Sequence, residues 1–79
     1  MIVVIMKSKA STAVKDFGMK VLLERTKRKW SQEILAEKAD LSRAYLGNIE
    51  RGESSPSLDT IVKLATAFDI KLSKMFEPY

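Results

Sequence analysis

Apolar residues recur along most of this chain at intervals of three and four, the spacing that lines one face of an α-helix. Val14, Phe17 and Val21 form one stripe, Leu35, Ala36 and Ala39 a second, and Leu46 with Ile49 a third. The longest runs through Leu58, Ile61, Leu64, Ala65 and Phe68, and Ile70, Leu72, Met75 and Phe76 follow it closely enough to close a core from the C-terminal side. Each stripe is introduced by a hydroxyl residue whose oxygen can accept an N–H left open in a first helical turn. The pattern predicts a first helix from Ser11 or Thr12 to about Lys27 and a second from a Ser31 cap to Lys38. A third runs from a Ser42 cap to Glu50 and a fourth from a Ser57 cap to Phe68, and Ser73 caps a last turn.

Between the third and fourth helices, residues 51–57 collect turn formers, and Pro56 disfavours helical geometry at Ser55, so this stretch is predicted as a loop. The opening Ile2, Val3, Val4 and Ile5 are apolar and mostly β-branched, which favours an extended conformation. A lone strand has no partner in a helical domain, so the run could pair with its counterpart in a second subunit, pack as an apolar arm or stay disordered. Residues 1–10 are accordingly read as an N-terminal arm and 11–79 as one all-α domain.

Seventy-nine residues suffice for one core that buries about 60% of the surface of the unfolded chain. A separate ligand-sensing domain would need several dozen more, and no small-molecule ligand is expected. The net charge of +4 and a sequence pI near 9.5 favour a polyanionic partner, although mild basicity alone is a weak signal. The chain has neither Cys nor His, which removes thiolate metal sites, the commonest metal ligand and the commonest general base. No phosphate loop or nucleophile motif surrounds Gly18, Gly47 or Gly52. We therefore expect no enzyme, metal or cofactor. The apolar opening is far shorter than the roughly 20 residues that span a bilayer, and its lysines follow it rather than precede it. The chain is expected in the cytoplasm, away from membranes.

The most informative stretch is 31–52, in which two short capped helices flank a tight corner. Ala36 is small enough for close helix approach, Leu41 can plug the corner, and Asp40 tolerates the left-handed backbone that such corners demand. With Leu46 and Ile49 inward, Arg43, Ala44, Gly47 and Asn48 face largely outward. These are side chains suited to a major groove: Arg can bond bidentately to guanine, Asn to adenine, and Ala can touch a thymine methyl. Taken alone, the same set would equally suit an ordinary solvated face.

Four segments in order decide between these readings: Trp-Ser-Gln-Glu-x-Leu-Ala at 30–36, Leu-Ser-Arg-x-Tyr-Leu at 41–46, Ile-Glu-Arg-Gly at 49–52 and Pro-Ser-Leu-x-Thr-Ile at 56–61. From Phe17 to Phe76 the chain resembles the lambda-repressor-like, or Xre-type, helix-turn-helix family, and the resemblance implies a compact five-helix fold that binds duplex DNA. It implies that Gln32, beside the Ser31 cap, meets a phosphate, assisted by the dipole of the second helix. It further implies that Ser42, Arg43, Ala44, Gly47 and Asn48 face bases, that Tyr45 and Arg51 meet backbone phosphates, and that Arg25 and Glu50 form a structural ion pair between the first and third helices. The chain departs from the family pattern at Asp40 and Lys29, where Gly is frequent. It departs again at Glu24, where an apolar residue is common, with Leu22 and Leu23 as substitutes in the core. Of the basic residues between Lys15 and Lys29, most are expected on a solvated face, and Lys27 to Lys29 lie close enough in sequence to Gln32 to act on the same phosphates.

The expected function is a sequence-specific transcriptional regulator acting as a homodimer on a palindromic or pseudo-palindromic operator. Its length and its Arg-x-Tyr-Leu and Ile-Glu-Arg-Gly segments resemble the controller proteins of restriction–modification systems, with a phage-type repressor or an antitoxin as close alternatives. A protein-interaction module that retained the fold without DNA binding is the competing class. One recognition helix is too small to specify a site alone, and apolar residues remain at both ends of the chain. Ile70, Leu72, Met75 and Phe76 are therefore the preferred dimer interface, with Ile2, Val3, Val4 and Ile5 as a second candidate.

Overall fold

The computed structural model describes the backbone of residues 2–78 and the side chains of residues 12–78. It contains α1 (Ile2–Lys27), α2 (Gln32–Ala39), α3 (Arg43–Glu50) and α4 (Leu58–Phe68), followed by a 3₁₀ turn at Leu72–Phe76. Three of the expected boundaries rest on the serines. Ser31, Ser42 and Ser57 are extended, and their hydroxyls accept the backbone N–H of Ile34, Tyr45 and Thr60, which satisfies one open donor at each helix start.

The helix ends share a second device. After each helix one residue turns left-handed, namely Lys29 (φ 60), Asp40 (φ 55), Gly52 (φ 75) and Asp69 (φ 57). The N–H of the residue that follows then reaches back to a carbonyl of the last turn: Trp30 to Arg25, Leu41 to Ala36, Glu53 to Asn48 and Ile70 to Ala65. This is the Schellman ending, usually made by Gly. Here three of the four positions are Lys or Asp, a tolerable strain for single residues. The corner at Asp40 adopts the left-handed geometry that the sequence suggested.

Three expectations are corrected. Among the described residues there is no strand, and the fifth helix is a single 3₁₀ turn. The apolar opening, read as a candidate strand, continues α1 back to Ile2. Extending an existing helix adds one hydrogen bond per residue, while β-branching costs only tenths of a kcal/mol, so the helix needs no partner where a strand would. Ser73 does not cap the last turn; it lies inside it, and Lys71 at its start makes no side-chain cap.

The core is Phe17, Val21, Leu35, Ala36, Ala39, Leu46, Ile49, Leu64, Ala65, Phe68 and Met75, with Trp30, Leu41, Tyr45, Ile61 and Ile70 packed against it. Leu58, expected in the core stripe of α4, is 64% exposed, and Leu23 is exposed as well. Glu24 needs no apolar substitute, because Lys20, Lys27 and Arg28 surround its carboxylate. Among the described residues, no helix is long and apolar enough to cross a membrane.

Candidate nucleic-acid interface

The α2–α3 pair is fixed to α1 at one point of unusually close approach. Gly18 lies against the C-terminal end of α3, where a Cβ would sit 2.3 Å from the Ile49 carbonyl oxygen and 2.9 Å from that of Glu50. Only Gly allows the two backbones this separation. The sequence carried a signal for it: a Gly inside a helix costs about 1 kcal/mol relative to Ala, and Gly18 stands between core positions Phe17 and Val21.

Beside this contact Glu50 is buried and accepts three hydrogen bonds. Arg25 donates through Nε to Oε2 at 2.7 Å and through Nη2 to Oε1 at 3.0 Å. Gln32 Nε2 also donates to Oε1, at 2.9 Å. The remaining Arg25 Nη1 donates to the Trp30 carbonyl at 2.9 Å, tying the same guanidinium to the α1–α2 connection. The structure thus brings Arg25 and Glu50 together as a two-bond fork, a geometry of high directional preference. Gln32 carries the chain of contacts to the surface, since its Oε1 accepts from Arg43 Nη1 at 3.0 Å. The polarity of the amide is determined by its partners: only its N–H₂ can face a carboxylate, and only its oxygen can face a guanidinium.

On the outer side of α3, Ser42, Arg43 and Ala44 are exposed and Asn48 is half-buried. Tyr45 is half-buried against the core, so its ring packs inward. Gly47 differs from the outward position expected of it: it is buried. Arg51 folds back over it, with Nη1 3.1 Å from where a Gly47 Cβ would be. Arg51 also donates to Asn48 Oδ1 and, through Nε at 3.1 Å, to Glu53 Oε1. Nothing in the sequence pointed to Glu53, which gains its place only from the turn at Gly52. Of the basic residues in and just after α1, Lys20 and Arg28 are engaged with Glu24 inside the domain, while Lys27 is also paired there but remains mostly exposed. No cluster of His, Cys, Asp or Glu among the described residues could hold a metal ion.

At the expected dimer surface, Leu72 and Phe76 are exposed and Ile70 is half-buried. Met75 is 1% exposed and belongs to the monomer core, because the last turn folds it inward against α1 and α4. The side chains of Ile2, Val3, Val4 and Ile5 lie outside the described residues.

Comparison with known proteins matches residues 21–75 to the family described as Helix-turn-helix, HTH_3. The chain is 44% identical over 54 residues to the HTH-type transcriptional regulator SutR of Escherichia coli, covering 68% of this chain and 30% of that protein. It is 45% identical over 56 residues to Control protein C.BamHI of Bacillus amyloliquefaciens, covering 70% and 69% respectively. Among solved structures, the restriction-modification controller protein C.AhdI from Aeromonas hydrophila superposes with a TM-score of 0.78 at 43% identity, covering 80% of this chain and 96% of that one. These relatives are regulators and control proteins, in agreement with a non-enzymatic role. With its capped helix pair, the Arg25–Glu50 fork beneath it and the match across most of its length, the chain belongs to the helix-turn-helix family.

Proposed function

We propose that the chain is a sequence-specific duplex-DNA-binding transcriptional regulator that acts as a homodimer on a palindromic operator and controls a restriction–modification operon. One observation carries the reading. Arg43, exposed at the start of α3, is joined to buried Glu50 through Gln32 by a chain of hydrogen bonds. Preorganised donors at the N-terminal end of a recognition helix are what base reading requires. Ser42, Arg43, Ala44 and Asn48 are assigned to bases, with Gly47 permitting close approach. Gln32, Tyr45 and Arg51 are assigned to phosphates, which set register. Similarity to C.BamHI and C.AhdI supports the setting, and exposed Leu72 and Phe76 support self-association.

The test is selection from a random duplex library, followed by binding of single-base operator variants at two salt concentrations. The expected outcome is a palindromic site on which Arg43→Ala loses roughly 1–3 kcal/mol of discrimination at one base pair per half-site. Arg51→Ala should instead weaken every duplex alike and lower the salt slope by about one unit. A chain that retains no duplex even at low salt is an interaction module instead. Uniform weakening by Arg43→Ala would make that residue a phosphate contact.

A further inference from the structure

Arg51 and Asn48 have separate tasks in the DNA-binding reading, yet the structure joins them. To read adenine, Asn48 must accept from the base through Oδ1 while donating through Nδ2. Its Oδ1 already accepts from Arg51 Nη2, which uses one of its two lone pairs and places a guanidinium across the edge that a base would meet. Arg51 is held in that pose from its other side, where Nε donates to Glu53 Oε1 at 3.1 Å. Glu53 owes its position to the end of α3 rather than to loop freedom. Gly52 turns left-handed at φ 75, its N–H bonds the Ile49 carbonyl at 3.0 Å, and the N–H of Glu53 bonds the Asn48 carbonyl at 2.8 Å. Glu53 is therefore tied to Asn48 twice, directly through the backbone and through Arg51 by the side chains.

The two halves of this arrangement differ in strength. The backbone turn is held by its two hydrogen bonds and requires Gly, since a Cβ at Gly52 would meet Lys15 Cγ at 2.9 Å in addition to its unfavourable φ. The Arg51 and Glu53 side chains are 56% and 59% exposed, and an exposed pair of this kind is weak and readily exchanged. A DNA phosphate offers Arg51 the same charge as Glu53 and the same pair of anionic oxygens, which a guanidinium can meet bidentately. We propose that Glu53 is a positioning residue that stands in for a DNA phosphate in the free protein. It holds Arg51 across Asn48, and Asn48 gains its full capacity to read a base when a phosphate takes Arg51 away. The proposal rests on the DNA-binding reading and deepens it, because it couples base reading by Asn48 to correct seating of the backbone at Arg51.

The experiment compares the parent, Glu53→Gln, Arg51→Ala and the double variant for binding to the selected operator and to a random duplex. Glu37→Gln serves as a control for net charge at another exposed site. Losing the competitor should tighten duplex binding by about fivefold in the parent background and leave Arg51→Ala unaffected beyond the control. In the free chain, the side-chain amide resonances of Asn48 should move in both Glu53→Gln and Arg51→Ala. Tightening of equal size in the Arg51→Ala background, or Asn48 resonances that ignore both substitutions, would overturn the proposal alone. A parent that binds neither duplex overturns the DNA-binding reading and the proposal with it.

Discussion

Glu24 and Glu50 are two buried acids served by neighbouring residues of α1, and they are wired in opposite ways. Glu24 draws its partners from its own helix and the residue that follows it: Lys20 at 3.1 Å, Lys27 at 3.1 Å and Arg28 at 2.7 Å. Its reach to another element is indirect, through Arg28 Nη2, which donates to the Phe68 carbonyl at 2.9 Å while the guanidinium lies over the Phe68 ring at 4.8 Å. Glu50 has one cationic partner, Arg25, 25 positions away in sequence, and one neutral partner, Gln32. Successive residues of a helix point about 100° apart, so positions 24 and 25 serve different neighbours, α4 on one side and α3 on the other. The local cluster secures the end of one helix. The long-range pair determines how α3 is set against α1.

Breaking the long-range side should cost most. Glu50→Gln removes the charge opposite Arg25 in a site where the two side chains are 4% and 12% exposed, and should destabilise the fold by about 4 kcal/mol, read from urea denaturation. Its DNA sequence preference should be unchanged in what remains folded; a shift in preference without loss of stability would make Glu50 a reader rather than a prop.

Gly18→Ala tests the same side without touching a charge. The added methyl meets backbone oxygens that cannot rotate away, and a loss of about 3 kcal/mol is expected from the overpacking.

The local cluster should respond least, and to pH. Burial alone would raise the Glu24 carboxyl, but hydrogen bonds from Arg28, Lys27 and Lys20 outweigh it and hold the pKa at about 2 rather than 4.5. A carboxyl depressed in the folded state stabilises fully above its unfolded value, and that contribution drains away as pH falls from about 5 toward 2. Glu24→Gln should therefore cost on the order of 2 kcal/mol at pH 7. The gap in melting temperature between parent and variant should narrow as pH is lowered through 4 to 3. A gap that stays constant with pH would assign the loss to packing.

What the sequence disclosed was largely what is decided locally. Serine caps at 31, 42 and 57 and the left-handed corner at Asp40 each depend on a few adjacent atoms, and the ends of α3 and α4 follow from them. Gln32 and Arg43, which the motif series drew together, are hydrogen-bonded to each other across the same corner. What stayed hidden depends on partners remote in sequence. Gly47 is covered because Arg51 folds back. Met75 rather than Phe76 enters the core because successive residues of a 3₁₀ turn point about 120° apart, and Glu24 is comfortable because three cations converge on it. The start of α1 was missed because β-branched residues favour a strand only where another strand is available.

The punctuation of the short helices limits how the domain can be controlled. Eight residues are too few for a helix to persist alone in water, and α2 and α3 both have that length, between capped starts and closed ends that leave no slack. Their folded state is borrowed from the core on which they sit. Melting α3 would forfeit its seat against Gly18 and the hydrogen bonds of Glu50 together with the helix itself. Side chains that exchange partners are therefore the less costly point of control.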